Sequence, residues 1–169
     1  MSELVNRVAS SPIVSLNLEE FYPQEERLVF DLKPFLFQEL ILKEKDFREN
    51  LKAVDWSEYS GKWVAVTCTA DAIVPIWAFM LVCTYLENRA KGYAIGSLEN
   101  LEQHISEITL GQLEVEKFKD RPVVIKGCSK YPIPLFAYGR IVSLLQSHAK
   151  SLMFGEPCST VPLFKKSKS

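Results

Sequence analysis

Histidine is nearly missing from this chain, with 2 in 169 residues. His104 and His148 both fall in stretches patterned as helix and away from the cysteines. Each reads as a structural or surface group, and a Cys–His nucleophilic pair has little support. An excess of charge of one sign is also lacking: the formal net charge is −1. No broad basic face is implied, so nucleic acid and anionic membrane are excluded as principal partners. No long hydrophobic run occurs, and the apolar stretch from Ala72 to Val82 is far too short to span a bilayer. The start, Met1-Ser2-Glu3-Leu4-Val5-Asn6-Arg7, lacks an apolar core of signal-peptide length. A cytoplasmic protein is therefore expected, with its 4 cysteines reduced rather than paired. Glycine-rich phosphate loops are lacking as well. Gly127-Cys128-Ser129 and Gly155-Glu156 are too short to cradle a phosphate, and no Walker or dinucleotide pattern is present.

What is there suits one domain, 1–169, with 47% apolar and 24% charged residues. Residues 61–164 alternate strand and helix patterns. Trp63–Thr67 is a β-branched run after Ser60-Gly61 and reads as a buried strand. A helix follows from Pro75 to Arg89, with Pro75 suited to its first position. Gly92–Gly96 reads as a second strand, and Ser97 caps a helix reaching about Ile108. Pro122–Lys126 is the third strand, Pro134–Lys150 a helix, and Ser151–Phe154 the fourth strand. This alternation predicts an α/β fold: a mostly parallel sheet of about four strands flanked by helices, doubly wound in character. Residues 1–60 read as an N-terminal α+β extension covering the sheet or pairing with another subunit, so a homodimer is an open expectation. Within it, Pro12–Leu18 and Leu28–Asp31 fit strands and Phe35–Val54 is mainly helical. Residues 165–169 form a basic, solubilising tail.

One phrase recurs three times: a cysteine, a hydroxyl residue, a spacer, then a β-branched residue, proline and two bulky apolar residues. The copies are Cys68-Thr69…Val74-Pro75-Ile76-Trp77, Cys128-Ser129…Ile133-Pro134-Leu135-Phe136 and Cys158-Ser159-Thr160-Val161-Pro162-Leu163-Phe164. Cys83 lies outside the phrase and reads as core filler. If the sheet has the common 2-1-3-4 order, the three strands preceding these cysteines are neighbours. The thiols then share the carboxyl edge where open α/β sheets bind ligands. Neighbouring strands lie about 4.8 Å apart, and loops can draw three thiolates onto a zinc with bonds of about 2.3 Å. The expectation is a metal or iron–sulfur centre on Cys68, Cys128 and Cys158, as zinc or as a cluster with an open position. Asp71 is the candidate fourth ligand, with capping of the next helix its competing role. Glu156 is a weaker oxygen ligand, and Lys126 and Lys130 could support an anion or simply be solvated. Two alternatives stand beside the metal centre. One is a thiol enzyme or sulfur carrier with Cys68 as nucleophile and Asp71 assisting. The other is a non-catalytic interaction or scaffold module whose repeated phrases are only packing.

The phrases around Cys68, Cys128 and Cys158, with Leu42-Lys43-Glu44-Lys45-Asp46-Phe47-Arg48 and Glu3-Leu4-Val5-Asn6-Arg7-Val8, resemble an uncharacterised bacterial family. It is catalogued as domain of unknown function 2480, and the resemblance covers nearly the whole chain. It implies no established activity or site. It leans toward a link with iron–sulfur cluster assembly proteins as partners, through an association with their genes.

Overall fold

The structure, a computed structural model, describes residues 12–127 and 130–168. Seven strands and four α-helices follow one another among them: β1 (Val14–Asn17), β2 (Arg27–Asp31), α1 (Glu44–Ala53), β3 (Trp63–Thr67), α2 (Ile76–Leu86), β4 (Gly92–Ile95), α3 (Leu98–Gly111), β5 (Pro122–Lys126), α4 (Leu135–Leu145), β6 (Ser151–Glu156) and β7 (Ser159–Lys165). The fold is α/β with mostly parallel strands, as the alternation predicts. The strands, however, build two sheets instead of one of order 2-1-3-4. One has order β2-β3-β4 and is wholly parallel; the other has order β1-β5-β6-β7, with only β7 antiparallel. The chain divides into two compact units, 23–104 and 1–22 with 105–169.

The physical reason for two sheets lies in the N-terminal strands. The Leu28-Val29-Phe30 run of β2 supplies the neighbour that β3 needs, pairing Leu28 with Val64 and Phe30 with Val66. The Val14–Leu16 run does the same for β5, pairing Val14 with Val123 and Leu16 with Ile125. Both strands thus belong to the sheets themselves. In the 23–104 unit the two crossovers step in the same direction, which places their helices on one face. That face is visible in the core. Phe30, Val64 and Val66 pack with Phe47 and Leu51 of α1 and with Ala78, Val82 and Leu86 of α2. The last three recur at every fourth position, so one stripe of α2 is buried. Each fully buried Val or Leu contributes roughly 1.5–3 kcal/mol.

The two units are copies of one plan. In the first, a 3-10 turn starts at 56, β3 at 63, α2 at 76 and β4 at 92. In the second, the matching elements start at 115, 122, 135 and 151, a constant offset of 59. The buried stripe Ala78, Val82, Leu86 reappears as Ala137, Ile141, Leu145. Backbone bonds repeat too: Gly61 N–H to Arg89 O matches Asp120 N–H to His148 O, and Lys91 N–H to Lys62 O matches Lys150 N–H to Arg121 O. Strand register is conserved between the copies, Trp63 opposite Gly92 and Pro122 opposite Ser151. Gly96 (φ +139°) and Gly155 (φ +124°) end the third parallel strand of each copy in a conformation that L side chains rarely adopt.

The N-terminal strands carry an echo of their own. Asn17-Leu18 with Phe21 answers Asp31-Leu32 with Phe35, and Leu18 and Leu32 are both buried. Asn17 Oδ1 accepts from Glu19 N–H at 3.0 Å, and Asp31 Oδ1 accepts from Lys33 N–H at 2.9 Å. These short Asx turns end each strand in the same way. The units also differ. The 23–104 copy gains α1, and the other gains β7 alongside β6.

Candidate functional site

This twofold plan explains the recurring phrase. Val74-Pro75-Ile76-Trp77 and Ile133-Pro134-Leu135-Phe136 occupy matching positions and start α2 and α4, with Pro75 and Pro134 at the N-caps. The third copy starts no helix. Val161, Pro162, Leu163 and Phe164 lie within β7. The cysteines themselves are out of step, because the offset of 59 that matches the elements aligns Cys68 with Gly127 and Cys128 with Thr69. What repeats is a helix-starting phrase, and the thiols do not share a slot.

Placement of the thiols overturns the metal-centre reading. Cys68 follows β3 in one sheet, whereas Cys158 sits in the two-residue turn between β6 and β7 of the other. Their strands are not neighbours, so the premise that brought the thiols together fails. Cys128 lies outside the described residues. Among the described residues no group of three or more His, Cys, Asp and Glu side chains stands ready to hold a metal ion. A metal or iron–sulfur protein built on Cys68, Cys128 and Cys158, with zinc completed by Asp71, is therefore withdrawn. Asp71 is exposed, and α2 has no side-chain capping bond at its N-terminus, so its capping role is not realised either. Glu156 pairs with Lys126 at 2.9 Å, tying the carboxyl ends of β5 and β6. The Lys130 ammonium lies 5.2 Å from the centre of the Tyr131 ring, and its N–H reaches Glu19 Oε1 at 3.4 Å. His148 lies 3.6 Å from Glu116, an outer contact matching its expected surface role.

A hollow lies at the carboxyl edge of β3 and β4, the end at which open α/β sheets bind ligands. It measures about 340 Å³ and is lined by Val66, Thr67, Cys68, Ala72, Val74, Phe79, Ile95 and Gly96. Its thiol is half-buried, and Cys68 Sγ lies 3.9 Å from Ala70 O. Asp31 braces the same edge. Its carboxylate accepts from Thr69 N–H at 3.0 Å, from the Thr69 hydroxyl, and from Lys33 N–H. Burial pushes the Asp31 pKa up, but the bonds from Thr69 and Lys33 outweigh it, and the net shift is below the ordinary carboxylate value. Sequence reasoning missed Asp31. The signal was the Asn17/Asp31 echo, which marks both residues as strand-ending Asx groups.

A second hollow of about 530 Å³ runs along α2 beside β4, lined by Met80, Cys83, Thr84, Glu87, Asn88, Tyr93 and Ile95. Ile95 belongs to both hollows, so they form one continuous surface. Cys83 packs against the core as expected of a filler, yet it also lines this groove, and burial pushes its thiol pKa up. The Tyr93 hydroxyl donates to Glu87, and this bond is the chief reason its pKa is pushed up to about 12.

The matching place in the other copy is flanked by an added strand. Ile125, Tyr138, Val142 and Phe154, the counterparts of Val66, Phe79, Cys83 and Ile95, line a cavity of about 320 Å³. Its remaining wall includes Val161 and Leu163 of β7. One copy of the plan thus adds a strand beside its hollow, with Val161 and Leu163 still largely in water, and the other has no such strand among the described residues.

Fold and surface together define a duplicated α/β protein with an apolar opening beside the edge strand of one sheet. The chain belongs to the family described as protein of unknown function (DUF2480), whose model matches residues 2–166. No curated protein and no solved structure matches it. No helix among the described residues is long and apolar enough to cross a membrane.

Proposed function

We propose that the protein is a non-catalytic binding module that docks another polypeptide on the surface formed by α2 and β4. The supporting observation is a succession of large apolar side chains held in water. Ile73 is 96% exposed, Ile76 77%, Met80 58% and Ile95 50%. Scattered exposed apolar residues are ordinary. Here Ile76 and Met80 stand one helical turn apart, and Met80 and Ile95 line the same groove. Covering such a surface contributes about 25 cal/mol per Å² of apolar area removed from water. The principal polar groups nearby are already engaged, Asp31 by Thr69 and Lys33, and Glu87 by Tyr93. Recognition by apolar contact fits that arrangement better than acid–base chemistry.

The test is the double variant Ile73→Ser/Ile76→Lys, carried on a tagged chain at its natural level. Both positions are exposed, so stability should stay within about 0.5 kcal/mol of the parent. The protein partner that co-purifies with the parent should be lost. A partner retained by the variant, or no partner with the parent, would overturn the reading.

A further inference from the structure

Resting on that docking surface, we infer that β4 accepts an extended peptide segment as an added antiparallel strand, with the segment's apolar side chains seated in the groove along α2. The occupant's chemistry is two apolar residues two positions apart in an extended segment.

The molecule contains the template. In the 105–169 unit, β7 pairs antiparallel with β6, Phe154 opposite Val161 and Ser151 opposite Lys165. Val161 and Leu163 line the apolar hollow there while remaining more than half exposed. By the offset of 59, β6 corresponds to β4, Phe154 to Ile95, Val142 to Cys83 and Tyr138 to Phe79. The last three counterparts line the open hollows. Conserved register then sets a β7-like segment against β4 with its first apolar residue opposite Ile95.

Glu87 lines the groove with its carboxylate already held by the Tyr93 hydroxyl, which leaves apolar contact as the basis of recognition. The edge is also unguarded. Among the described residues β4 ends its sheet, and Gly92-Tyr93-Ala94-Ile95 contains neither proline nor lysine. The other sheet's edge strand β7 carries Pro162 and Lys165, with a register shift that leaves its Leu163 unpaired between Pro162 and Phe164. Those features blunt strand addition. An edge with an apolar groove beside it suits the recognition mode in which backbone pairing gives affinity and alternate side chains give specificity.

The probe is a synthetic peptide with the sequence of residues 159–166, Ser-Thr-Val-Pro-Leu-Phe-Lys-Lys, added to the full chain. Three readouts apply: amide exchange along Gly92–Ile95, amide exchange along β6, and alkylation of Cys83 with exposed Cys158 as internal control. Saturating peptide should slow exchange of the outward β4 amides and alkylation of Cys83 at least tenfold, leaving Cys158 unchanged. A peptide carrying Asp for its Val and Leu, or the Met80→Glu variant of the chain, should abolish both effects. Protection along β6 alone would mean that the peptide replaces β7, and would overturn the inference. So would protection of Cys83 without β4, or no protection at all. Loss of the natural partner in Ile73→Ser/Ile76→Lys alongside an unprotected β4 would sink strand addition while leaving the docking surface standing.

Discussion

Asp31 shows how a single residue can set the edge on which the site rests. Its carboxylate gathers the backbone N–H and hydroxyl of Thr69 and the N–H of Lys33, joining the ends of β2 and β3 beneath the crevice. The folded pKa is below the ordinary aspartate value. A depressed carboxylate contributes stability that is fully present above the unfolded pKa and is lost as pH falls through the folded one. Asp31→Asn should therefore cost about 1 kcal/mol near pH 7, the scale of a half-exposed charge-assisted bond. That deficit should shrink as pH drops below about 3.9. Urea unfolding of parent and variant at pH 7, 5 and 3 checks the sign, and a deficit unchanged at pH 3 would contradict it.

The cysteines teach a different lesson at this scale. A cysteine beside a hydroxyl residue marks no fixed position, whereas a β-branched residue before proline does constrain the chain. Val74-Pro75 and Ile133-Pro134 start helices because proline presets φ and lacks the donor that a helix start leaves unused. Val161-Pro162 suits an edge strand for the same reason, since such a strand has a side with no partner. One phrase, two structural outcomes.

At the level of elements, strands β3 and β5 were plain in the sequence because unbroken β-branched runs suit strands buried on both faces. Helices α2 and α4 were equally legible, although both stop at their buried Leu86 and Leu145, short of the Arg89 and Lys150 limits that pattern alone set. The ends of β1 and β2 were less clear, and their place in the sheets was hidden. These are strands of four and five residues whose partners lie far along the chain, Val14 opposite Val123 for one. No local pattern encodes a non-local pairing. β7 was hidden behind the cysteine phrase.

Close packing between β3 and β4 gives a sharp prediction. A Cβ placed on Gly92 would lie 2.3 Å from the Trp63 ring, and Trp63 is itself 3% exposed. Gly92→Ala should destabilise the protein by about 1–3 kcal/mol through overpacking. Trp63 fluorescence should report the displacement of the ring. A variant as stable as the parent would show that the ring yields freely, and unchanged fluorescence would contradict the close approach of Gly92 to the ring.

Taken whole, the chain is one plan written twice, with the second copy's first strand placed ahead of the entire first copy. Sequence identity between the copies is sparse, confined to positions such as Val64/Val123, Pro75/Pro134, Ala78/Ala137, Leu86/Leu145 and Gly96/Gly155. These are the positions that packing and backbone conformation constrain most. Elsewhere the copies diverged freely, which is why the cysteine phrase stood out and the true repeat did not. The functional asymmetry follows from what each copy added. β7 lines the hollow beside β6, and among the described residues no strand lies beyond β4, where Met80 and Ile95 stand in water.

That open surface carries the account, and its most direct test is photo-crosslinking in cells. A photoreactive amino acid would replace Ile76, Met80 or, as a control, exposed Glu49 of α1. The account predicts a discrete adduct with one polypeptide from positions 76 and 80, and none from 49. No adduct, or the same adduct from all three positions, would contradict it.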